Sequence, residues 1–427
     1  MTDPQAPYGG ISFAALAKEF GTPLFVYDTE VVAASYRRLR TGLQPSVDIF
    51  YSLKANPNIS VCAFLRSLGA GAEVSSETEL VTALRAGFAP EDIVFLGPGK
   101  RDAELEACVR AGVRAVVCES LGELRRLDEI AARGGRTAPL PVLLRINPAF
   151  PTAGSGLAMG GKPRQFGIDT EALLRARDLL AGLRSVRVTG VHAYLGTRYL
   201  QTEPIIRNTV GILTEAARIA RALDVPLDTV DFGGGIGVAY FDSEKAPDIG
   251  AIVEGVNAAV DTFAQDHPRC RFIMEAGRCL TAASGTYVVR VLDVKESMGE
   301  WFAIADGGTH HHMAAVGLGS FVRRNFPIQV LDRAGRPDLP NAGQYTVTGP
   351  LCTPHDVLGK RVALPAVRPG DLLGVGLSGA YGPTASPGHF LGHGYPAEVL
   401  VHSGQAHLVR RRDTAEDLLS PQRLVEL

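Results

Sequence analysis

Between residues 47 and 277 the chain alternates short, nearly continuous apolar runs with longer segments whose apolar residues recur at helical spacing. The runs are VDIFYSL, GAEVS, DIVFLG, AVVCE, VLLRIN, VTGVHAYL, VDFGG and RFIMEAG, eight in all. Between most of them lie SETELVTALRAG, DAELEACVRAG, LGELRRLDEIAARGG and VGILTEAARIARALD. Several of these close on glycine, the residue that most easily ends a helix in the left-handed conformation. Eight strands alternating with helices predict an α/β fold, a TIM-like (β/α)8 barrel, over about residues 30–280.

Beyond residue 280 the texture changes to short β-branched runs punctuated by Gly, Pro and Asp: GTYVVRVLDVKE, WFAIAD, PIQVLD, QYTVTG, DLLGVG and PAEVLVHSGQAHLVRRR. These predict a C-terminal β-domain over 281–427. The early run PLFVYD precedes the barrel strands and is free to pair with that domain, which would then include residues 1–29.

Composition narrows the class. A chain of 427 residues exceeds one ordinary core, in keeping with two domains. With 46% hydrophobic and 21% charged residues and a net charge of −2, it has no bulk attraction to nucleic acid or membrane. The start, MTDPQAPYGG, has no basic segment followed by an apolar one, and no uncharged apolar run reaches the ~18 residues of a membrane span. A cytoplasmic enzyme is the expectation. The cysteines Cys62, Cys108, Cys118, Cys270, Cys279 and Cys352 show no CxxC spacing and read as free thiols.

Active sites of such barrels collect at the C-terminal ends of the strands. The strand ends here carry Lys54, Glu73, Arg145, His192 with Tyr194, the triplet Gly233, Gly234 and Gly235, and Glu275 followed by Arg278. Taken alone, Lys54 reads equally as a rim lysine that snorkels to water. The glycine triplet alone reads equally as a tight turn. Together they suggest more. A lysine desolvated inside a barrel is nucleophilic enough for a Schiff base, and a glycine loop after the seventh strand is a common phosphate cradle. Pyridoxal phosphate, a phosphorylated aldehyde, meets both requirements.

Six motifs then occur in order: FYSLKANPN, GAGAEVSSETEL, DFGGGIGV, EAGR, GPLCTPHDVLG and SGAYG. In these the chain resembles the barrel-type pyridoxal-phosphate decarboxylases, the family of diaminopimelate and ornithine decarboxylases, from about Pro23 to its last strands. The resemblance implies that Lys54 holds the cofactor aldehyde. It implies that Gly233, Gly234 and Gly235, with the backbone around Gly277 and Arg278, hold the phosphate. Glu275 would face the pyridine nitrogen and keep it protonated, which favours decarboxylation. Glu73, Arg145 and His192 join the implied cofactor set. Tyr381 would lie near the phosphate and substrate, Asp356 near the substrate, and Glu79 occupies a further acidic position. Cys352 would reach a neighbouring subunit's site to handle the proton at the reacting carbon, which implies a homodimer. Without its motif, Cys352 reads as a buried small hydrophobe.

The chain also departs from that pattern. Tyr194 stands where the family's stacking histidine would be, with Thr197 as the hydroxyl near the phosphate. Thr353 follows the motif cysteine where diaminopimelate decarboxylases carry a glutamate, and ornithine decarboxylases an aspartate, for the substrate's distal amine. The run IADGGTHHHMAAVGLGSFVRRNFPIQV resembles a branch that acts on glutamyl groups carried by acyl carrier proteins. An acidic aminoacyl thioester on such a carrier, in specialised biosynthesis, is therefore the expected substrate. A free diamino acid is the alternative. A non-catalytic cofactor-binding protein is disfavoured by the β-domain and the cysteine motif, and a racemase by Glu275. Arg323 and Arg324 read either as a solvated pair or as a docking point for an acidic carrier. In an extended segment His310, His311 and His312 would alternate faces, so no metal is expected there.

Overall fold

The computed structural model describes residues 8–150, 154, 157–316, 324–331 and 343–426. Chain contacts divide it into two units: 34–239 with 245–279, and 1–33 with 240–244 and 280–427.

The larger unit is a closed barrel of eight parallel strands. In chain order they are Val47–Ser52, Gly71–Val74, Ile93–Phe95, Ala115–Cys118, Leu140–Asn147, Val186–His192, Thr229–Asp231 and Arg271–Ala276. They are called the first to eighth barrel strands below. The eighth pairs with the first in the register Glu275 to Phe50, which closes the ring. The strands are almost uniformly buried because helices cover one face and the barrel interior the other, so they read as apolar runs rather than alternations. Inside, Phe50, Val94, Ala115, Val117, Leu143 and Ile273 form one cluster.

Local signals set the helix starts. Ser76 Oγ accepts the Glu79 N–H ahead of helix Glu77–Arg85, and Ser120 Oγ accepts the Glu123 N–H ahead of Leu121–Arg133. Glycine 112, at φ 70°, ends helix Asp102–Ala111.

One buried ion pair stiffens the strand-to-helix connections. Lys100 Nζ lies 2.6 Å from Glu123 Oε1 and donates to the carbonyls of Gly97 and Val117. Removing one partner leaves the other charge buried and unpaired. Lys100→Ala is therefore expected to cost about 3–5 kcal/mol in denaturant unfolding, and Lys100→Met with Glu123→Leu to recover most of it.

In the second unit, Leu24–Asp28 pairs antiparallel with Gly285–Ser297 and parallel with Ala397–His402. Gly285–Ser297 continues through Glu300–Ala305 and Gly343–Thr348 to the edge strand Val357–Leu364. That edge strand is not signalled by its sequence, DVLGKRVAL, because Lys360 and Arg361 turn outward and glycine interrupts the run. Helix Phe13–Phe20 was equally silent; its Phe13 and Leu16 pack with Leu24, Val26, Val288 and Val399.

The three histidines do not lie in an extended segment. They occupy a tight turn and are all buried. His311 Nε2 donates to the Gly394 carbonyl at 2.9 Å, which leaves Nδ1 to accept the Tyr287 hydroxyl at 3.0 Å. His312 Nε2 lies 2.8 Å from Ser378 Oγ. Burial pushes His310 down to about 4 and His312 to about 3, so both stay neutral at working pH. Arg324 lies 3.8 Å from Glu244 and 5.4 Å from the Phe241 ring, so it is engaged within its own unit; Arg323 lies outside the described residues.

Candidate active site

The first barrel strand stops at Ser52, and Leu53–Ala55 form one 3-10 turn that carries Lys54. The strand thus ends before Asn56-Pro57-Asn58, and Asn58 serves as the N-cap of helix Ile59–Ser67. Lys54 is not buried as its strand suggested: its side chain is 37% exposed at the barrel mouth. Its Nζ lies 3.1 and 3.2 Å from the two Glu73 oxygens and 5.4 Å from the Tyr194 ring centroid. The buried Glu73 ends the second strand and also accepts the Ser75 hydroxyl at 3.3 Å. Glu79 accepts the Ser75 N–H at 2.7 Å, and burial pushes its carboxyl up to about 7.

On the eighth strand, which pairs with the first, Glu275 is buried against His192 of the sixth, Oε1 to Nε2 at 2.9 Å. Burial pushes His192 down to about 3, so the ring is neutral. It sits behind the carboxylate and has no exposed surface, so it supports Glu275 rather than lining the mouth. Arg145 of the fifth strand lies 2.6 Å from Glu119 and 4.7 Å from the Phe166 ring centroid, and Glu119 also accepts the Gly167 N–H.

The glycine loop after the seventh strand is held by its lack of side chains. Gly233 and Gly235 have φ of 65° and 90°. A Cβ on Gly234 would run into the Glu275 carbonyl oxygen, and one on Gly235 into that of Gly196. The last contact brings Thr197 beside the loop. The Gly233 N–H is taken by Asp231 at 2.9 Å. The N–H groups of Gly234 and Gly235 find no acceptor among the described residues, and both glycines are partly exposed. Two unpaired donors after the seventh strand, in the same barrel as the amine at the mouth, fit a phosphorylated aldehyde. Gly277 packs on Ser52 and Ala55, which flank the turn of Lys54, and Arg278 begins the short helix after the eighth strand.

These features place the chain among known proteins. Residues 29–282 match the family described as pyridoxal-dependent decarboxylase, pyridoxal binding domain. The L-glutamyl-[BtrI acyl-carrier protein] decarboxylase of Niallia circulans is 42% identical over 96% of this chain and 95% of its own. The chain belongs to the pyridoxal-dependent decarboxylases. Another member, diaminopimelate decarboxylase of Neisseria meningitidis serogroup B, is 31% identical over 96% of this chain and 95% of its own. The structure of Helicobacter pylori diaminopimelate decarboxylase complexed with L-lysine superposes with a TM-score of 0.85 at 26% identity, covering 96% of this chain and 98% of that one. This decarboxylase is accordingly a pyridoxal-phosphate-dependent carboxy-lyase acting on an amino acid.

The remaining expected residues lie in the other unit. Cys352 is exposed on its loop. Tyr381 is partly buried, with a left-handed φ of 55°. Asp356 does not face outward toward a substrate. It is 2% exposed, with Oδ1 accepting the Thr309 N–H and hydroxyl at 2.8 and 3.0 Å and Oδ2 the Leu351 N–H at 2.8 Å. It is a positioning residue for the cysteine loop. Two residues missed from the sequence matter to the barrel site. Glu119 was visible as the carboxylate ending AVVCE, and Asp231 as the acid before the glycine triplet, but neither had a spacing signal that named its partner.

Proposed function

We propose that this decarboxylase acts on an acidic aminoacyl group, such as glutamyl, held as a thioester on an acyl carrier protein. The observation that carries the reading is the 42% identity, end to end, to a decarboxylase of a carrier-bound glutamyl group, against 31% for a diaminopimelate decarboxylase. Thr353 supports it. Where a distal-amine reader would stand, its hydroxyl accepts only the His355 N–H, and it carries no charge for an ammonium group.

Bound pyridoxal phosphate supplies an electron sink for the carbanion left when carbon dioxide departs. The chain's residues do the rest. Lys54 presents its amine at the mouth, steered by both oxygens of Glu73. Glu275 places a buried negative charge on the strand next to the one that leads to the lysine, suited to a protonated ring nitrogen. The Tyr194 ring, near the amine, offers an apolar face for stacking. Gly234 and Gly235 offer their N–H groups to the phosphate, with Thr197 adjacent and Gly277 and Arg278 contributing at the eighth strand. Arg145 supports the site through Glu119.

Replacing carbon dioxide by hydrogen needs a proton at the reacting carbon. We assign its delivery to Cys352 of a second copy in a homodimer, a role its exposure supports. The free state of the six cysteines supports a cytoplasmic, reducing setting. Among the described residues no helix is long and apolar enough to cross a membrane.

The holoenzyme should convert a glutamyl carrier thioester with a kcat/KM on the order of 100-fold above free glutamate, because binding energy from the remote carrier is available to the reacting centre. Product masses after parallel incubation with the thioester, free glutamate, diaminopimelate, lysine and ornithine decide the matter. Preferential turnover of a free diamino acid would overturn the carrier reading.

A further inference from the structure

Behind Glu275 lies a buried acid that the mechanism above does not use. Asp231 ends the seventh strand, is 1% exposed, and lies with His192 and Glu275 so that one polar atom of each falls within 4.8 Å of the others. Its Oδ1 accepts the Gly233 N–H, while its Oδ2 is buried with no hydrogen-bond partner among the described residues.

Two carboxylates this close, shut off from water, are not both ionised at modest cost, so the pair retains a proton. The hydrogen bonds decide which acid keeps it. His192 Nδ1 is buried with no partner, so a proton there would be a donor without an acceptor. The ring proton therefore sits on Nε2 and is donated to Glu275 across 2.9 Å. Burial raises the Glu275 carboxyl, but the positive charges of Lys54 and Arg145 draw it back down against the negative charge of Glu119. Asp231 receives a single backbone N–H and the field of Arg145, and it faces the negative charges of Glu275 and Glu73.

We propose that Asp231 is a positioning residue that works as a neutral carboxylic acid, keeping the negative charge of the ring-nitrogen site on Glu275. Burial and the neighbouring Glu275 charge raise its carboxyl well above the usual range, in agreement. Its bond to Gly233 has a second consequence. The Gly233 carbonyl accepts the Glu275 N–H at 2.9 Å, so one acid ties the glycine loop to the strand that carries the anion. The role rests on the assignment of Glu275 to the ring nitrogen, but the protonation state belongs to the chain alone.

The test is infrared spectroscopy of the apoenzyme at pH 8, comparing the natural chain, the same chain labelled with carboxyl-13C aspartate, and Asp231→Asn. The expected result is a protonated-carboxyl carbonyl band that shifts with the label and is missing in Asp231→Asn, whose holoenzyme loses far less kcat than that of Glu275→Gln. Finding no label-sensitive protonated carboxyl would overturn the proposal. So would a folded Asp231→Asn that loses activity as far as Glu275→Gln does. If Asp231→Asn does not fold, the band in the labelled natural chain decides alone. Full activity in Glu275→Gln with the band intact would refute the ring-nitrogen reading but leave the protonated acid standing, so the two failures are distinguishable.

Discussion

Lys54→Arg lowers kcat by roughly 10^4-fold, the scale of loss when a covalent nucleophile is removed, while the apoenzyme stays folded. Arginine is the informative replacement. Glu73 is 1% exposed and has Lys54 as its cationic partner, so alanine would leave a buried carboxylate without its counter-charge and mix a folding defect into the kinetics. Arginine keeps the positive charge but never gives up its proton, so it cannot form the bond to an aldehyde. The checks are steady-state decarboxylation and a denaturant midpoint for each chain. A variant within tenfold of the natural kcat would remove Lys54 from its assigned role.

Glu275→Gln lowers kcat by roughly 100-fold or more, with KM changing far less, because a preorganised charge beside the reacting system is lost. The amide is close in size and still accepts the His192 Nε2–H, so folding should be preserved. Steady-state kinetics on the folded variant provide the check. An unchanged kcat would mean that the buried Glu275 carboxylate does not govern the ring.

The barrel was legible because each strand is a short apolar run ending on a turn residue, and the residues at those ends were the ones to question. Lys54, Glu275 and the glycine triplet all stand at such ends. What escaped were relations between strands. No spacing links Glu73 to Lys54 across 19 positions, or His192 to Glu275 across 83, since those distances are set by barrel closure. Gly233 was expected on the phosphate, yet its N–H points to Asp231, a preference that depends on how the loop turns back on its own strand.

Asp356 and the histidine run show how tertiary contact adds to a local pattern. The motif implies a place near the substrate for Asp356, and the fold gives its two oxygens to Thr309 and Leu351. The histidines were judged as if extended, and alternation fails once the chain turns at Thr309–His311. Arg324 reads from the sequence as a solvated charge or a docking point, and the fold sets it 3.8 Å from Glu244 and 5.4 Å from the Phe241 ring while leaving it about half exposed.

The central claim is that Lys54 carries the cofactor. Holoenzyme reduced with borohydride and digested for peptide mass mapping tests it most directly. The reduced pyridoxyl-phosphate mass is expected on the peptide that contains Lys54 and on no other. The same mass on a different lysine, such as Lys100 after the third strand, or no adduct in a chain that turns over substrate, would contradict it.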